Sequence, residues 1–287
     1  MSEQVRLHLA YGGDGSARDL LLRRGPALAG YSHLGAPDAS GHRSGELVIH
    51  PAHRRRGLGL ALARAAVAEA SPLPVRIWAH GDLPAAAGLA ADAGFTRVRA
   101  LHQMRRSLRE PVPEPRLPAG ITLRAFVPGQ DEDAWLAVNA AAFADHPEQG
   151  TWTRAELEHR EAQPWFDPAG FFLAMRDGRL AGFHWTKVHG QRQASGAARP
   201  GGPAGARPAD GDGRTGEVYV VGVHPQEQGT GLGRALTLAG LAYLRAQEIP
   251  EVMLYADDEN TAAIRLYESL GFAHTGTDVM YEHPGEP

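Results

Sequence analysis

Short apolar runs bounded by turn residues alternate along this chain with longer segments whose apolar residues recur at helical spacing. In the first half the pattern predicts strands over Leu20–Leu22, Ala27–Ser32 and Glu46–Ile49, the last leading into an alanine- and leucine-rich helix. The second half predicts a strand over Ile121–Phe126, helices over 132–143 and 154–161, and a hairpin of 171–176 with 180–188 turning at Asp177-Gly178. Beyond it come a strand over Glu217–Val223, a helix over 231–247, a strand over 252–256, a helix over 260–270 and a closing strand over 277–283. Helices set between strands predict an α+β architecture built on a mixed α/β sheet, not a sandwich or a bundle.

Two segments interrupt the pattern. Glu110 to Pro118 is proline-rich and reads as a stiff linker, dividing the chain into domains at 1–109 and 121–287 with a connection over 110–120. Residues 191–216 are almost wholly Gly, Ala, Pro, Arg, Asp, Ser and Gln, from which no core can be built. They read as a disordered surface insertion, with a mobile lid as the alternative.

One motif occurs twice. His50-Pro51 runs through Arg54, Arg55 and Arg56 to Gly57-Leu58-Gly59, and His224-Pro225 runs through Gln228, Gly229 and Thr230 to Gly231-Leu232-Gly233. Each copy follows a predicted strand and opens a predicted helix. Glycines permit positive φ and close backbone approach, so successive N–H groups and a helix N-terminus converge on a phosphate. A single copy would be ordinary turn chemistry; a Gly-Phe pair at a similar interval after each, Gly94-Phe95 and Gly271-Phe272, makes the halves a repeat.

Composition narrows the chemistry. A chain of 287 residues with 43% hydrophobic content suffices for two cores, and a net charge of −4 gives no global field for a polyanion, so no nucleic-acid partner is expected. The absence of cysteine excludes disulfides, thiol nucleophiles and cysteine–zinc sites. The 14 histidines show no paired ligand spacing beside an acid on a predicted helix, so no metal is expected. Neither a secretory signal nor a membrane-length apolar stretch is visible, which sets the expectation of a cytoplasmic protein with no membrane partner; a monomer is expected, though no sequence feature fixes the oligomeric state.

The turns Arg54-x-x-Gly57-x-Gly59 and Gln228-x-x-Gly231-x-Gly233, with Asn260-x-x-Ala263 and Leu266 through Phe272, resemble the acetyl-CoA-binding signature of the GNAT acetyltransferases. The resemblance spans most of both halves. It implies two tandem GNAT-type domains, the first degenerate and shortened at its start, where an opening strand and helices are absent, the second catalytic. It also implies acetyl-CoA as co-substrate, held by Val221, Gly222, Val223, Gln228 through Arg234 (Gly229, Thr230, Gly231, Leu232 and Gly233 between them), Asn260, Thr261, Ala262, Ala263, Ile264 and Arg265. In the first half the matching positions are Leu47, Val48, Ile49, Arg55, Arg56, Gly57, Leu58, Gly59 and Leu60. Further likeness in Trp165-Phe166-Asp167-Pro168, Gly182 through Lys187 and Gly216 through Val223 points to a tandem-domain branch that acetylates the cysteinyl amine of a cysteine–glucosamine–inositol pseudodisaccharide.

Aligning the halves on their His-Pro pairs places Arg43 where the second half has Glu217, and aligning on Gly-Phe places Ala90 opposite Tyr267 and Leu83 opposite Asn260. The second half therefore carries the candidate chemistry. Glu217 is the candidate base, on the strand that enters the turn; without the resemblance it is a solvated strand-end carboxylate. Tyr267 is the candidate acid, or a core residue of an amphipathic helix. Backbone N–H groups of Val221 and Val223 would fix acyl and pantetheine oxygens if a bulge near Gly222 freed them. Substrate recognition falls by motif matching to Glu3, Asp167, Lys187, Glu217 and Tyr255. The plain alternatives are a turn-initiating Asp167 and a snorkelling Lys187. Trp152, Trp165 and Trp185 flank this region and either stack on a ligand or pack as core. The competing functions are acetylation of another small amine or protein N-terminus, and non-catalytic acyl-CoA binding.

Overall fold

The structure is a computed structural model and describes residues 2–12, 15–38, 40–144, 146, 149–190 and 213–285. Residues 191–212 of the expected insertion lie outside the described residues. Its last part, Thr215 and Gly216, instead opens a strand, because these two residues pair with His189 and Val188. Among the described residues no helix is long and apolar enough to cross a membrane.

Along the chain run α1 (Glu3–Tyr11), β1 (Arg18–Arg24), β2 (Ala27–Pro37), β3 (Arg43–Ile49), α2 (Leu58–Ala70), β4 (Val75–Ala79), α3 (Pro84–Asp92) and β5 (Thr96–Ser107). There follow β6 (Ile121–Ala125), α4 (Glu132–Ala142), α5 (Arg154–Glu161), β7 (Phe171–Arg176), β8 (Arg179–His189) and β9 (Thr215–Val223). The chain closes with α6 (Leu232–Ala246), β10 (Glu251–Asp257), α7 (Thr261–Ser269) and β11 (Ala273–His283).

Residues 1–103, 256–261 and 274–287 form one compact unit, and 104–255 with 262–273 form another. This differs from a division at the proline-rich segment. The closing strand β11, expected in the second domain, pairs antiparallel with β4 from Val279↔Ala79 to His283↔Val75. Its buried Val279 and Tyr281 join the first unit's core with Leu34, Ala66, Val67 and Phe95. Apolar alternation marks β11 as a half-buried strand but does not name the edge it joins.

Each unit repeats one theme. In the first, β1, β2 and β3 form an antiparallel meander, and β3 then pairs parallel with β4 across α2. In the second, β6, β7, β8 and β9 are antiparallel, and β9 pairs parallel with β10 across α6. A parallel neighbour requires a crossover connection, and the glycine-turn helix supplies it both times. Helix α1, where the apolar pattern predicted no element, is capped by Ser2, whose Oγ accepts from the Val5 amide at 3.4 Å, and it buries Val5 and Leu7.

The second unit's core is aromatic. Phe126 stacks on Phe171 at 4.4 Å, Phe171 on Trp185 at 4.5 Å, and Trp135 meets Phe171 and Trp185 edge-on. Behind this stack, α6 lies against β8 through Gly240 and the wholly buried His184. The imidazole donates from Nδ1 to the Leu236 carbonyl at 2.7 Å, and burial pushes its pKa down to about 4, so it sits neutral.

On helix propensity alone, alanine at position 240 would gain about 1 kcal/mol over glycine. A Cβ there would stand 2.1 Å from His184 Cε1. Overpacking costs about 1–3 kcal/mol, so Gly240→Ala is expected to lower Tm. A thermal melt showing a higher Tm would refute the packing argument.

Candidate active site

The two glycine turns are built alike. After β3 a 3-10 turn, Pro51–His53, is capped by His50, whose Nδ1 accepts from the Ala52 amide at 3.3 Å; after β9 the turn Pro225–Glu227 is capped by His224, which accepts from Gln226 at 3.3 Å. Arg54 donates to the Ile49 carbonyl at 3.0 Å, and Gln228, at the matching position, donates to Val223 at 3.4 Å. Gly57 (φ 76°) and Gly231 (φ 87°) then start α2 and α6 in the left-handed region, where a side chain would be strained. Arg55 (φ 59°) takes positive φ where the second turn has Gly229 (φ 76°). The first amides of each helix have no intrahelical acceptor and face outward at the positive end of the helix dipole.

The strands around each turn part company. Parallel pairing of β9 with β10 is confined to Gly216↔Val252 and Glu217↔Met253, although β9 continues to Val223. Pairing of β3 with β4 likewise covers only Arg43 to Gly45. Beyond these points the backbone groups of one strand edge lie outside the parallel ladder. The bulge expected near Gly222 lies elsewhere: Trp185 pairs with Val220 and Thr186 with Val218, so Tyr219 is the extra residue. Gly222 is a packing requirement, since a Cβ there would approach the Phe183 ring to 2.7 Å.

Of the expected turn residues, Leu232 is fully buried, so only its amide faces the turn, and Arg234 donates to Ser269 Oγ at 2.8 Å. Asn260 and Thr261 belong to the first compact unit, whereas Ala262 to Arg265 belong to the second.

The acceptor candidates gather on β8 and β9. Lys187 pairs directly with Glu217, placing both side chains on one face. Both are buried, and the Lys187 ammonium lies 4.2 Å from the Trp165 ring centroid and 4.6 Å from that of Tyr219. Arg160 stands over Trp152 at 3.8 Å and donates to the Tyr219 hydroxyl at 2.9 Å. His189 Nε2 meets Glu217 Oε2 at 2.5 Å. His189, Tyr219 and Arg160 were not singled out in the sequence; their only signal is position, two residues from Lys187, two from Glu217, and on the helix facing them.

The other candidates are more dispersed. Asp167 caps the Pro168–Gly170 turn by accepting from Ala169 at 3.0 Å, and its second oxygen accepts from the Tyr243 hydroxyl of α6. Tyr255 is exposed on β10. Tyr267 is buried on α7, its ring edge-on to Phe272, and burial pushes its phenol up to about 12. Glu3 lies in the first turn of α1, in the other compact unit.

The first unit carries a cleft of about 1100 Å³. It is lined by Leu47, Val48, Ile49, Arg55, Gly57, Gly59 and Leu60 of the expected set, but not by Arg56 or Leu58. Arg43, at the position matching Glu217, donates to the Ser16 and Gly35 carbonyls at 2.8 and 2.7 Å and so ties loops together. At the cleft's polar end His80 lies between Asp278, 3.1 Å away, and Glu46, 3.6 Å away. Hydrogen bonds to these two carboxylates, working against burial, raise His80 to about 9. Burial opposes ionisation of Glu46, yet hydrogen bonds from His80 and Ser2 outweigh it and bring that carboxyl down to about 2. Elsewhere in this unit His8, Asp19 and His33 gather within 4.8 Å, a grouping that histidine spacing in the sequence did not show. Tyr31 and His33 engage the same Asp19 oxygen at 2.6 and 2.9 Å.

The sign of each shift sets a pH window. Raised from 6.5 to about 9, His80 contributes stability that is complete below 6.5 and lost as pH climbs through 9. Lowered from 4.5 to about 2, Glu46 contributes stability present above 4.5 and lost towards 2. The effect is modest because the His80 side chain is 49% exposed. Melting followed between pH 6 and 10 should show an alkaline loss that His80→Gln reduces; identical profiles would contradict the pairing.

Comparison with known proteins follows the same lines. The acetyltransferase (GNAT) family model matches residues 135–272. The chain is 59% identical to a mycothiol acetyltransferase of Thermobispora bispora, over 98% of this chain and 88% of that one. It is 52% identical to a mycothiol acetyltransferase of Streptomyces avermitilis, over 98% and 84%. Among solved structures, a tandem GNAT protein from the clavulanic acid biosynthesis pathway superposes with a TM-score of 0.70 at 21% identity, covering 99% of this chain and 88% of that one. A GCN5-related N-acetyltransferase from Sphaerobacter thermophilus gives 0.67 at 24%, covering 99% and 86%. At such identities the structural likeness speaks to fold alone.

Proposed function

The chain belongs to the GNAT acetyltransferase family, in its mycothiol acetyltransferase branch, and from that premise we propose that it moves acetyl from acetyl-CoA to the cysteinyl amine of desacetylmycothiol, forming mycothiol. The observation that carries the reading for this chain is on β9: one strand bears Glu217 at the point where it leaves β10 and then delivers the glycine turn at its end. A thioester held along the parted edge, with its pyrophosphate on the α6 amides, would lie beside that carboxylate. The product of this reaction is free CoA and an amide.

Acetyl transfer needs a neutral amine, and an α-amino group titrates near about 8, so much of it is protonated at neutral pH. Glu217 takes the ammonium proton; the nitrogen then attacks the thioester carbon, the C–N bond forms, the C–S bond breaks, and the second nitrogen proton passes to the departing thiolate to give the amide and free CoA. Tyr267 serves the departing sulfur as a hydrogen-bond donor. With its phenol pushed up to about 12, full proton transfer to a thiolate whose thiol titrates near about 8.5 is uphill, so the tyrosine stays protonated and stabilises developing charge. Attack is direct, within a ternary complex, and ping-pong kinetics would contradict it.

Lys187, Asp167 and Tyr255 are proposed to grip the sugar and inositol hydroxyls, with Glu217 shared between recognition and chemistry. The second unit is proposed as the catalytic one, because the first has Arg43, Leu83 and Ala90 where the second has Glu217, Asn260 and Tyr267. The cytoplasm and a monomeric state fit a soluble small-molecule enzyme and remain part of this reading.

Release of CoA from acetyl-CoA is the decisive assay, run with desacetylmycothiol beside simple amines. Rapid release with the mycothiol precursor alone is expected; release only with other amines would replace the acceptor, and silence with all would leave an acyl-CoA-binding protein. Glu217→Gln should lower kcat by about 10²- to 10⁴-fold with acetyl-CoA affinity retained. Gly231→Val, which puts a β-branched residue at φ 87°, should do the reverse and weaken acetyl-CoA binding at the second turn, read by calorimetry.

A further inference from the structure

We propose that His189 is the positioning residue for Glu217, holding the carboxylate so that its other oxygen faces the acceptor amine. The inference rests on the reading of Glu217 as the base. It starts from strand register: on β8, Lys187 lies opposite Glu217 and His189 opposite Thr215. Residues two apart on a strand share a face, so His189 is the diagonal neighbour of Glu217. Its Nε2 reaches Glu217 Oε2 at 2.5 Å.

A carboxylate whose side chain is only 11% exposed is costly to bury without a hydrogen-bond donor. The cations that face it are otherwise placed. Lys187 directs its ammonium to the faces of Trp165 and Tyr219, and Arg160, from α5, spends its guanidinium on the Tyr219 hydroxyl, the Glu156 carbonyl and the Trp152 face. Between a carboxylate and an imidazole nitrogen the imidazole must carry the proton, so Nε2–H donates and Oε2 accepts. That bond fixes the carboxylate rotamer and leaves Oε1 as the oxygen that takes the ammonium proton. His189 keeps its own proton throughout: the ammonium proton moves from the substrate nitrogen to Oε1, the C–N bond forms, the C–S bond breaks, and the second nitrogen proton goes to the departing thiolate.

The bulge at Tyr219 supports the same geometry. Because one extra residue is inserted just after Val218, the side-chain alternation of β9 is reset beyond Glu217, and the Tyr219 ring comes to lie against Trp165 at 5.1 Å and Trp185 at 5.2 Å. An aromatic wall thus stands on one side of the Lys187–Glu217 pair, while His189 is 40% exposed.

His189→Leu and His189→Gln separate this role from bulk packing. The Leu variant is expected to lose on the order of 10- to 100-fold in kcat, with acetyl-CoA affinity held near wild type. The Gln variant, which offers an N–H donor at similar reach, should recover most of that loss. Wild-type kcat in the Leu variant, or equal losses in Leu and Gln, would overturn the proposal. If the wild-type chain turns over a different amine, the acceptor assignment falls and the same comparison decides on that amine. If it turns over none, proton NMR decides: a downfield imidazole N–H resonance lost in both His189→Gln and Glu217→Ala supports the pair, and its absence from the wild-type chain overturns it.

Discussion

Parallel pairing between β9 and β10 lasts for two residues, and the chemistry proposed for the second unit depends on where it stops. A fully zipped strand would spend all its N–H and C=O groups on the ladder and leave nothing for a ligand. By parting after Glu217, β9 keeps the sheet intact through β8 while exposing its other edge. The same strand then turns through Gly231 into α6, whose buried face, with Leu232, Leu236 and Leu241, anchors the turn to the sheet. The proposed anion site at the helix start and the proposed base at the fork are therefore carried by one continuous piece of backbone.

The first unit shows how little of this frame specifies chemistry. It has the parted strands, the histidine-capped turn and the left-handed glycine, yet Arg43 ties loops where Glu217 sits in the second unit. Its polar end is instead closed on itself, with His80 shared by Glu46 and Asp278 and the Ser2 amide donating to both oxygens of Glu46. Groups so fully satisfied have little to offer a reacting amine. In the second unit, Glu217 has an aromatic-walled cation opposite it and an imidazole donor beside it.

Strand and helix positions were largely legible, because periodicity and turn residues act locally. The hairpin at Asp177-Gly178 follows from two residues that accept positive φ, and α5 from the Thr153–Glu156 capping box. Helix α1 was not legible because its short, polar sequence has a weak apolar stripe, and only packing of Val5 and Leu7 makes it worthwhile. The bulge was misplaced at Gly222 for a related reason: a glycine in a strand signals either a bulge or a close neighbour, and Phe183 is that neighbour.

By itself the sequence determined the repeat, the two glycine turns, the acyl-transfer resemblance and the candidate base, since each is written in residues close together along the chain. Tertiary structure alone decided that β11 completes the first unit's sheet, that Lys187 faces Glu217 across two strands, and that His189 is the partner of that carboxylate. Those relations depend on register and on which edges meet. Nothing in a local pattern encodes either, because a strand's alternation is satisfied equally by any partner that covers its apolar face.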